Sequence, residues 1–184
     1  MRIFVGSSSE SKRYADDVSQ TLRELGAKPM DWNAEEVFIP GKTIIDTFEH
    51  IGKKCQAAIL VAGEDDQTMS RTKNDWTPRD NVLWELGYFT GKFGLDRAII
   101  VRAGKPKLPS DLGGVIYVQV PGKSRTGKHD SSAVRAILRD KLRPWLEGFP
   151  TGGNEPDGFS SLVENLGPRL SQLKNAKDWP TGQD

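Results

Sequence analysis

The sequence contains one cysteine and two histidines, and this scarcity excludes several kinds of site. Structural zinc and iron–sulfur sites need several thiolates at set spacings, so a lone Cys55 excludes them, together with an intrachain disulfide. Neither His50 nor His129 lies in an HExxH or GxSxG motif, so zinc hydrolysis and Ser–His chemistry are not predicted. We therefore expect an intracellular protein without a metal, in which any acid–base catalysis depends on carboxylates.

The chain also lacks an excess of charge and a long apolar run. It has 26 Lys and Arg against 25 Asp and Glu, a net charge of +1. Without a strong field of one sign, neither nucleic acid nor an anionic membrane is an expected partner. No window approaches the roughly 18 apolar residues of a membrane span. With 184 residues, 36% of them hydrophobic, the chain is predicted to form one soluble cytoplasmic domain with a short appendage.

Short apolar runs alternate with segments of helical periodicity, a pattern typical of parallel sheets with crossover helices. The predicted strands are 3–5, 57–62, 98–101, 115–120 and, at a sheet edge because it contains proline, 28–32. The predicted helices carry apolar stripes that include Val18, Phe48, Leu86 and Leu138. The sequence predicts a three-layer, flavodoxin-like α/β domain over 1–148, with a five-stranded parallel sheet flanked by helices. A linker at 149–158 and a tail at 159–184 with one further helix follow.

The loop from Gly6 to Glu10 is the first candidate binding element. It leaves a strand and opens a helix, so its free backbone amides and the helix dipole suit a phosphate. Ser7 with Glu10 also fits a capping box, and plain helix capping is the alternative. The loop contains neither GxGxxG nor the GK[ST] of a P-loop, so dinucleotide cofactor binding is not predicted. Ligands of such sheets bind at the carboxyl ends of the strands, where the loops after the first three strands converge.

Glu85 is the strongest candidate for chemistry. At 100° per residue it lies about 60° from the centre of the stripe that contains Val82 and Leu86, at the border between core and solvent. Asn81 lies four residues earlier on the same side. A carboxylate at such a border loses hydration, so its pKa rises and its charge responds to a nearby cation. Gly87, inside the same helix, indicates a close approach of the backbone to another group.

Three further features suit a binding site. The segment 63–77 is long, polar and without predicted secondary structure, which favours a functional lid. Trp32 ends a strand and is a candidate to stack on a heteroaromatic ring, with a place in the core as the alternative. Phe38, Pro40 and Gly41 form an exposed apolar tip that gates a pocket or meets a partner.

Taken together, these segments resemble the bacterial TIR-like domain of cyclic-nucleotide-triggered antiphage effectors. The matching motifs are IFVGSSSE at 3–10, VFIPGKT at 37–43, PRDNVLWELG at 78–87 and LPSDL at 108–112. They occur in order and at compatible spacing. The resemblance implies a TIR fold with NAD glycohydrolase activity, in which NAD is the substrate and no cofactor is needed.

The resemblance also implies roles for individual residues. Glu85 matches the glutamate that is essential in the family. The residues it implies in substrate binding are Gly6, Ser7, Ser8, Ser9, Trp32, Arg79, Asp80 and Asn81. The serine loop would take the pyrophosphate or ribose, and Arg79 would meet a phosphate or order Asp80. Asn81 stands where the better-known animal and plant TIR enzymes carry Trp.

Assembly is a further implication of the resemblance. It implies a homo-oligomer, with Phe38, Pro40 and Gly41 as the contact, and a cyclic-nucleotide sensor in this or another chain. Two alternatives remain open. One is a nucleoside or nucleotide N-glycosidase of the deoxyribosyltransferase type, which also places a glutamate before Leu-Gly-Tyr on a helix. The other is a non-catalytic TIR scaffold, in which Glu85 is a surface charge.

Overall fold

The computed structural model describes residues 1–35, 37, 40–70, 73–112, 117–123 and 127–149. Its strands are β1 (Arg2–Ser7), β2 (Lys28–Asp31), β3 (Ala57–Ala62), β4 (Asp66–Ser70), β5 (Lys73–Thr77), β6 (Ala98–Ala103) and β7 (Tyr117–Val120). Its helices are α1 (Lys12–Glu24), α2 (Ile44–Lys54), α3 (Asp80–Phe93) and α4 (Ser131–Glu147), with a 3₁₀ turn at Ser110–Leu112. The five strands and four helices predicted from periodicity are all present.

Five parallel strands form the central sheet in the order β2-β1-β3-β6-β7. Numbered by position in this sheet, the order is 2-1-3-4-5, which is that of the flavodoxin-like fold. The central strand β3 is buried at every residue, because helices cover both faces and its sequence is apolar throughout. Strand β2 lies at the edge, as Pro29 predicted. The predicted fold class is therefore confirmed for the sheet and its flanking helices.

The sheet separates two apolar cores. Side chains of α1 and α4 pack with one face, around Val18, Leu22 and Leu138. Side chains of α2 and α3 pack with the other, around Phe48 and Phe89. Alternate residues of each central strand contribute to opposite cores, which is the period-two pattern of a strand covered on both sides. Within the described residues, none of the helices combines the length and the apolar character that a membrane span requires.

The segment 63–77 differs from its prediction. Instead of a loop without secondary structure, it contains an antiparallel hairpin of β4 and β5, separate from the main sheet. The hairpin is fixed to the domain because Lys107 N–H donates to the Trp76 carbonyl at 2.7 Å and Lys107 Nζ lies 2.6 Å from Asp75 Oδ2. Neither strand was predicted from the sequence, because both are mostly polar.

Two local predictions about backbone were wrong. The capping box of Ser7 and Glu10 does not form, because Ser7 ends β1 and α1 begins only after Ser11. Ser8 Oγ instead accepts from the Ser11 N–H at 3.1 Å.

Gly87 does not mark a close approach, since a β-carbon there would have no other atom within 4 Å. The boundary at 148, the linker and the tail stay predictions, because residues 150–184 lie outside the described part of the chain, as does Phe38.

Candidate active site

A cavity of about 310 Å³ opens at the carboxyl edge of the sheet, on the side of α2 and α3. The loop after β1, the end of β2, helix α2 and the first turns of α3 all contribute to its wall. Its lining residues are Ser7, Ser8, Ser9, Trp32, Ile44, Phe48, Arg79, Asn81, Trp84 and Glu85. Seven of these residues were predicted from the sequence as site residues, so the predicted loop and helix do converge.

Glu85 carries the most perturbed carboxyl group of the site. Its Oε2 atom is buried and has no hydrogen-bond partner among the residues that the structure describes. Burial raises the pKa of this carboxyl from an ordinary value of 4.5 to about 7. A carboxylate held without compensating donors favours a cation or a hydroxyl group in front of it.

Gly6 makes room for this carboxyl group. A β-carbon at position 6 would lie 2.8 Å from Glu85 Oε2 and 2.6 Å from Leu60 Cδ1, both closer than atoms can approach. Gly6 therefore lies beneath the cavity, within β1, and not on the surface that a ligand meets. Gly6 thus has a steric role, because it allows the α3 carboxylate to lie against the strand, and its predicted role in binding phosphate stays a prediction.

Two donors near Glu85 also lack partners. Ser7 Oγ is buried in a residue that is only 5% exposed, and Trp32 Nε1 is buried beside the same cavity. Within the described chain neither atom makes a hydrogen bond. Buried polar groups are normally satisfied, by protein, water or ligand. Two donors and one acceptor around a single cavity therefore match a ligand that carries both hydroxyl groups and acceptor oxygens.

Arg79 lies at the rim and is held by carboxylates. One guanidinium nitrogen is 2.6 Å from Glu10 Oε1, and Nε is 3.8 Å from Asp66 Oδ2. The Glu10 carboxylate accepts this hydrogen bond and is the main cause of the raised pKa of Arg79. The carboxylates beside Arg79 are Glu10 and Asp66, so the prediction that Arg79 orders Asp80 is not met. Asp80 is exposed, and it is not among the lining residues.

An aromatic wall completes the cavity, and the sequence analysis did not assign it to the site. Phe48 and Trp84 have ring centroids 5.1 Å apart, and 48% of Trp84 is exposed. The signal for Trp84 was its phase: it lies about 200° from Val82 on α3, opposite the buried stripe, where a large apolar residue needs another explanation. Phe48 gave no such signal because it belongs to the buried stripe of α2.

The predicted assembly tip is only partly described. Pro40 and Gly41 are exposed and do not line the cavity, and Phe38 lies outside the described residues. Gly41 adopts a φ of +79°, a backbone conformation that favours glycine. In the described part of the chain there is no group of three or more His, Cys, Asp or Glu arranged to hold a metal ion.

The parallel sheet in the order 2-1-3-4-5, with helices on both faces and a cavity at its carboxyl edge, defines a flavodoxin-like α/β domain. The family is more specific. The model of the CAP12/Pycsar effector protein TIR domain matches residues 2–121, and the chain belongs to this family. The resemblance inferred from the sequence motifs is thereby confirmed.

Curated relatives agree with the family model. CD-NTase-associated protein 12 of Lachnospiraceae bacterium (strain RUG226) is 33% identical over 117 residues, which cover 62% of this chain and 35% of the relative. Pycsar effector protein BcPycTIR of Burkholderia cepacia is 36% identical over 120 residues, 64% of this chain and 39% of the relative. The chain thus matches little more than a third of the length of these relatives. Among solved structures, a flavodoxin-like domain from Synechococcus sp. superposes with a TM-score of 0.45 at 13% identity, covering 80% of this chain and 99% of that domain.

Proposed function

We propose that this TIR domain cleaves the N-glycosidic bond between nicotinamide and ribose in NAD, releasing nicotinamide and ADP-ribose. The observation that carries the proposal is the buried carboxyl group of Glu85, without a partner in the described chain, in a cavity whose other unsatisfied atoms are donors. In the reaction the bonding electrons leave with the nicotinamide nitrogen, which becomes neutral, and water adds to the ribose carbon with loss of one proton. No general acid is needed for this leaving group.

Glu85 would act on the charge that develops as the bond breaks. The ribose becomes an oxocarbenium-like cation, and a carboxylate in a site shielded from water stabilises that cation more than the ground state. Its 2-hydroxyl group also strengthens a hydrogen bond to such a carboxylate in the transition state. Because burial raises the pKa of Glu85 to about 7, the charged form is populated at and above neutral pH. We therefore expect kcat/KM to increase as the pH rises through about 7.

The remaining lining residues suit the other parts of NAD. The aromatic faces of Phe48, Trp84 and Trp32 suit the nicotinamide ring. These side chains would supply the aromatic surface that Asn81 lacks, at the position where animal and plant TIR enzymes carry Trp. Ser7 Oγ, the serine loop and Arg79 would donate to ribose and pyrophosphate oxygens. A cavity of about 310 Å³ is at the low end for ligand pockets, so it would hold the nicotinamide riboside half while the adenosine half lies on the surface.

The family supports an effector role for the reaction. The relatives are named CD-NTase-associated and Pycsar effector proteins, and they are much longer than this chain. We propose NAD depletion as the antiphage output, with a cyclic-nucleotide sensor supplied by another part of the chain or by a partner. Assembly of identical subunits, through the loop that contains Pro40 and Gly41, would complete the site, so specific activity should fall on dilution.

Replacing one carboxyl oxygen tests the proposal. Glu85→Gln keeps the shape of the side chain and removes its charge, so nicotinamide release from NAD should fall by about 10²–10³-fold while the fold is retained. Glu147→Gln, at the exposed end of α4, is the matched control and should retain wild-type turnover. The assay measures nicotinamide by chromatography at a protein concentration that supports assembly, with circular dichroism as the check on folding.

Three other results would overturn the proposal. Release of free base from nucleosides, without nicotinamide from NAD, would identify a glycosidase of the deoxyribosyltransferase type. Wild-type turnover in a folded Glu85→Gln protein would show that Glu85 has no part in catalysis. No turnover of either substrate by the assembled wild-type protein would favour the non-catalytic scaffold. The substrate panel and the variant together separate these alternatives.

A further inference from the structure

A second, smaller cavity lies on the other side of the loop that follows β1. It has a volume of about 50 Å³ and is bounded by the first turn of α1 and by the carboxyl ends of β3, β6 and β7. Its lining residues are Ser11, Tyr14, Glu64, Asp65, Ala103, Gly122 and Lys123. None of these residues belongs to the lining of the candidate active site. A buried water needs about 10–15 Å³ of such space, so this cavity holds a group larger than one water.

Two buried polar atoms of the lining residues lack partners, and they are of opposite kinds. Tyr14 is 3% exposed, and its hydroxyl group makes no hydrogen bond within the described residues. Asp65 Oδ1 accepts from Ser11 Oγ at 2.7 Å, whereas its buried Oδ2 accepts from no donor in that same part of the chain. Burial and the nearby Glu64 carboxylate raise the pKa of Tyr14, so its hydroxyl group keeps its proton and acts as a donor.

The charges around the cavity narrow the choice of ligand. The two acidic side chains Asp65 and Glu64 outnumber the one basic side chain of the lining, the exposed Lys123, and Glu64 Oε1 already accepts from the Lys105 N–H at 2.9 Å. An anion is therefore unfavourable inside. Two carboxylates and one phenol are also too few ligands for Ca²⁺, which takes six to eight oxygens. A simple ammonium group would satisfy Asp65 but would leave the Tyr14 proton without an acceptor.

The geometry points to a site for a primary carboxamide, whose carbonyl oxygen accepts from the Tyr14 hydroxyl group while its N–H donates to Asp65 Oδ2. A primary carboxamide carries one acceptor oxygen and two N–H donors. The N–H on the same edge as the oxygen would meet Asp65 Oδ2, and the second N–H would be available to the acidic wall that Glu64 supplies. Gly122 also lines a shallow groove of about 550 Å³, in which Ile137 and Val120 lie beside Arg102 and Lys105. The body of the ligand would lie in this groove, with the carboxamide as its buried end.

The experiment uses acetamide as the probe, with the full-length chain. A ligand present at about five times its Kd should raise Tm by about 2–4 °C for a protein of this size. Acetamide should also give saturable shifts of the backbone amide resonances of Ser11 and Asp65 in an NMR titration. N,N-dimethylacetamide, which keeps the acceptor and lacks the donors, and sodium acetate, which is anionic, should give neither effect at equal concentration.

Two conservative variants separate this cavity from every other place where acetamide binds. Tyr14→Phe removes only the unpaired hydroxyl group. Asp65→Asn keeps the Oδ1 acceptor for Ser11 but turns the atom that faces the amide into a donor. Both variants should fold and lose the acetamide response, whereas Glu85→Gln should keep it, so failure here is independent of failure of NAD cleavage. An equal response in wild type and both variants, or no saturable response in wild type, overturns the proposal and leaves ordered water as the occupant.

Discussion

The two faces of the central sheet differ in how far they enclose the apolar side chains of their helices. On one face, α1 buries seven of its 13 residues, and Leu138 and Leu142 of α4 are fully enclosed with them. On the other face, α3 buries three of its 14 residues, and Ile44, Ile45 and Trp84 remain about half exposed. We call the side of α1 and α4 the closed face, because its apolar side chains are enclosed. The side of α2 and α3 is the open face, because it leaves apolar side chains around a cavity.

This difference separates stability from ligand binding. Apolar burial is the main favourable contribution to folding, at about 25 cal/mol per Å² removed from water. The closed face contributes it through enclosed side chains such as Leu22 and Leu138, and this stability allows the opposite face to leave a carboxyl group and several apolar side chains open to a ligand. On the open face, the unfavourable burial of the Glu85 carboxyl group is tolerated because the rest of the domain is stable.

The largest expected effect tests the closed face. Leu138→Ala removes a fully buried side chain and should lower the free energy of unfolding by about 2–5 kcal/mol, measured by urea denaturation. Ile45→Ala, at a residue 52% exposed on α2, is the matched control and should change it by less than about 0.5 kcal/mol. The folded fraction of both variants should cleave NAD at the wild-type rate. A large cost at Ile45 would instead show that another subunit covers α2.

The sequence predicted the sheet and the helices well because their periodicity is carried by the residues that are buried. Short apolar runs predicted the strands, and the stripe on α3 predicted that Glu85 lies at the border of the core, where the structure has it. The hairpin of β4 and β5 was missed because its stability comes from strand pairing and contacts such as Thr68 Oγ1 with Thr77 Oγ1 at 2.8 Å, which leave no apolar pattern.

The site was predicted less completely because parts of it depend on residues distant in the chain. Glu10 and Arg79 are 69 positions apart, and their ion pair arises only when the loop after β1 meets the start of α3. The role of Gly6 likewise depends on a carboxylate from another element. Local patterns identify which residues are unusual, whereas contacts between elements decide what those residues do.

On the open face, the Glu85 carboxyl group should make the stability of the domain depend on pH, with an effect of intermediate size. Burial raises the folded-state pKa of Glu85 from 4.5 to about 7, so the charged form is disfavoured in the folded state. Below about pH 4.5 the carboxyl group is protonated in both states and costs nothing. Between about pH 4.5 and 7 the folded state loses up to about 3 kcal/mol, and the loss is constant above that range. Glu85→Gln should therefore be more stable than wild type at pH 8 and equal at pH 4.

Thermal melts of both proteins across this pH range measure that difference. The gap in Tm between Glu85→Gln and wild type should open between about pH 4.5 and 7. An identical stability of Glu85→Gln and wild type at pH 8 would mean that Glu85 is solvated, and the comparison of the two faces would lose its electrostatic part.

The smallest expected change in stability accompanies a large change in catalysis, at Gly6. In Gly6→Ala the new methyl group must displace Leu60 or the Glu85 carboxyl group, because its carbon would lie 2.6 Å and 2.8 Å from their atoms. Overpacking of this kind costs about 1–3 kcal/mol, whereas displacing a catalytic group by about 1 Å lowers the rate about 10²-fold. We therefore expect kcat for NAD cleavage to fall much more than the folded fraction, with a smaller change in KM.

Gly87→Ala is the matched control, because it adds the same methyl group to α3 where no other atom lies within 4 Å. It should retain activity and gain about 0.5–1 kcal/mol of stability. Equal kcat in the two alanine variants would mean that the position of the carboxyl group does not depend on Gly6, and that the open face tolerates the added volume as the surface of a helix does.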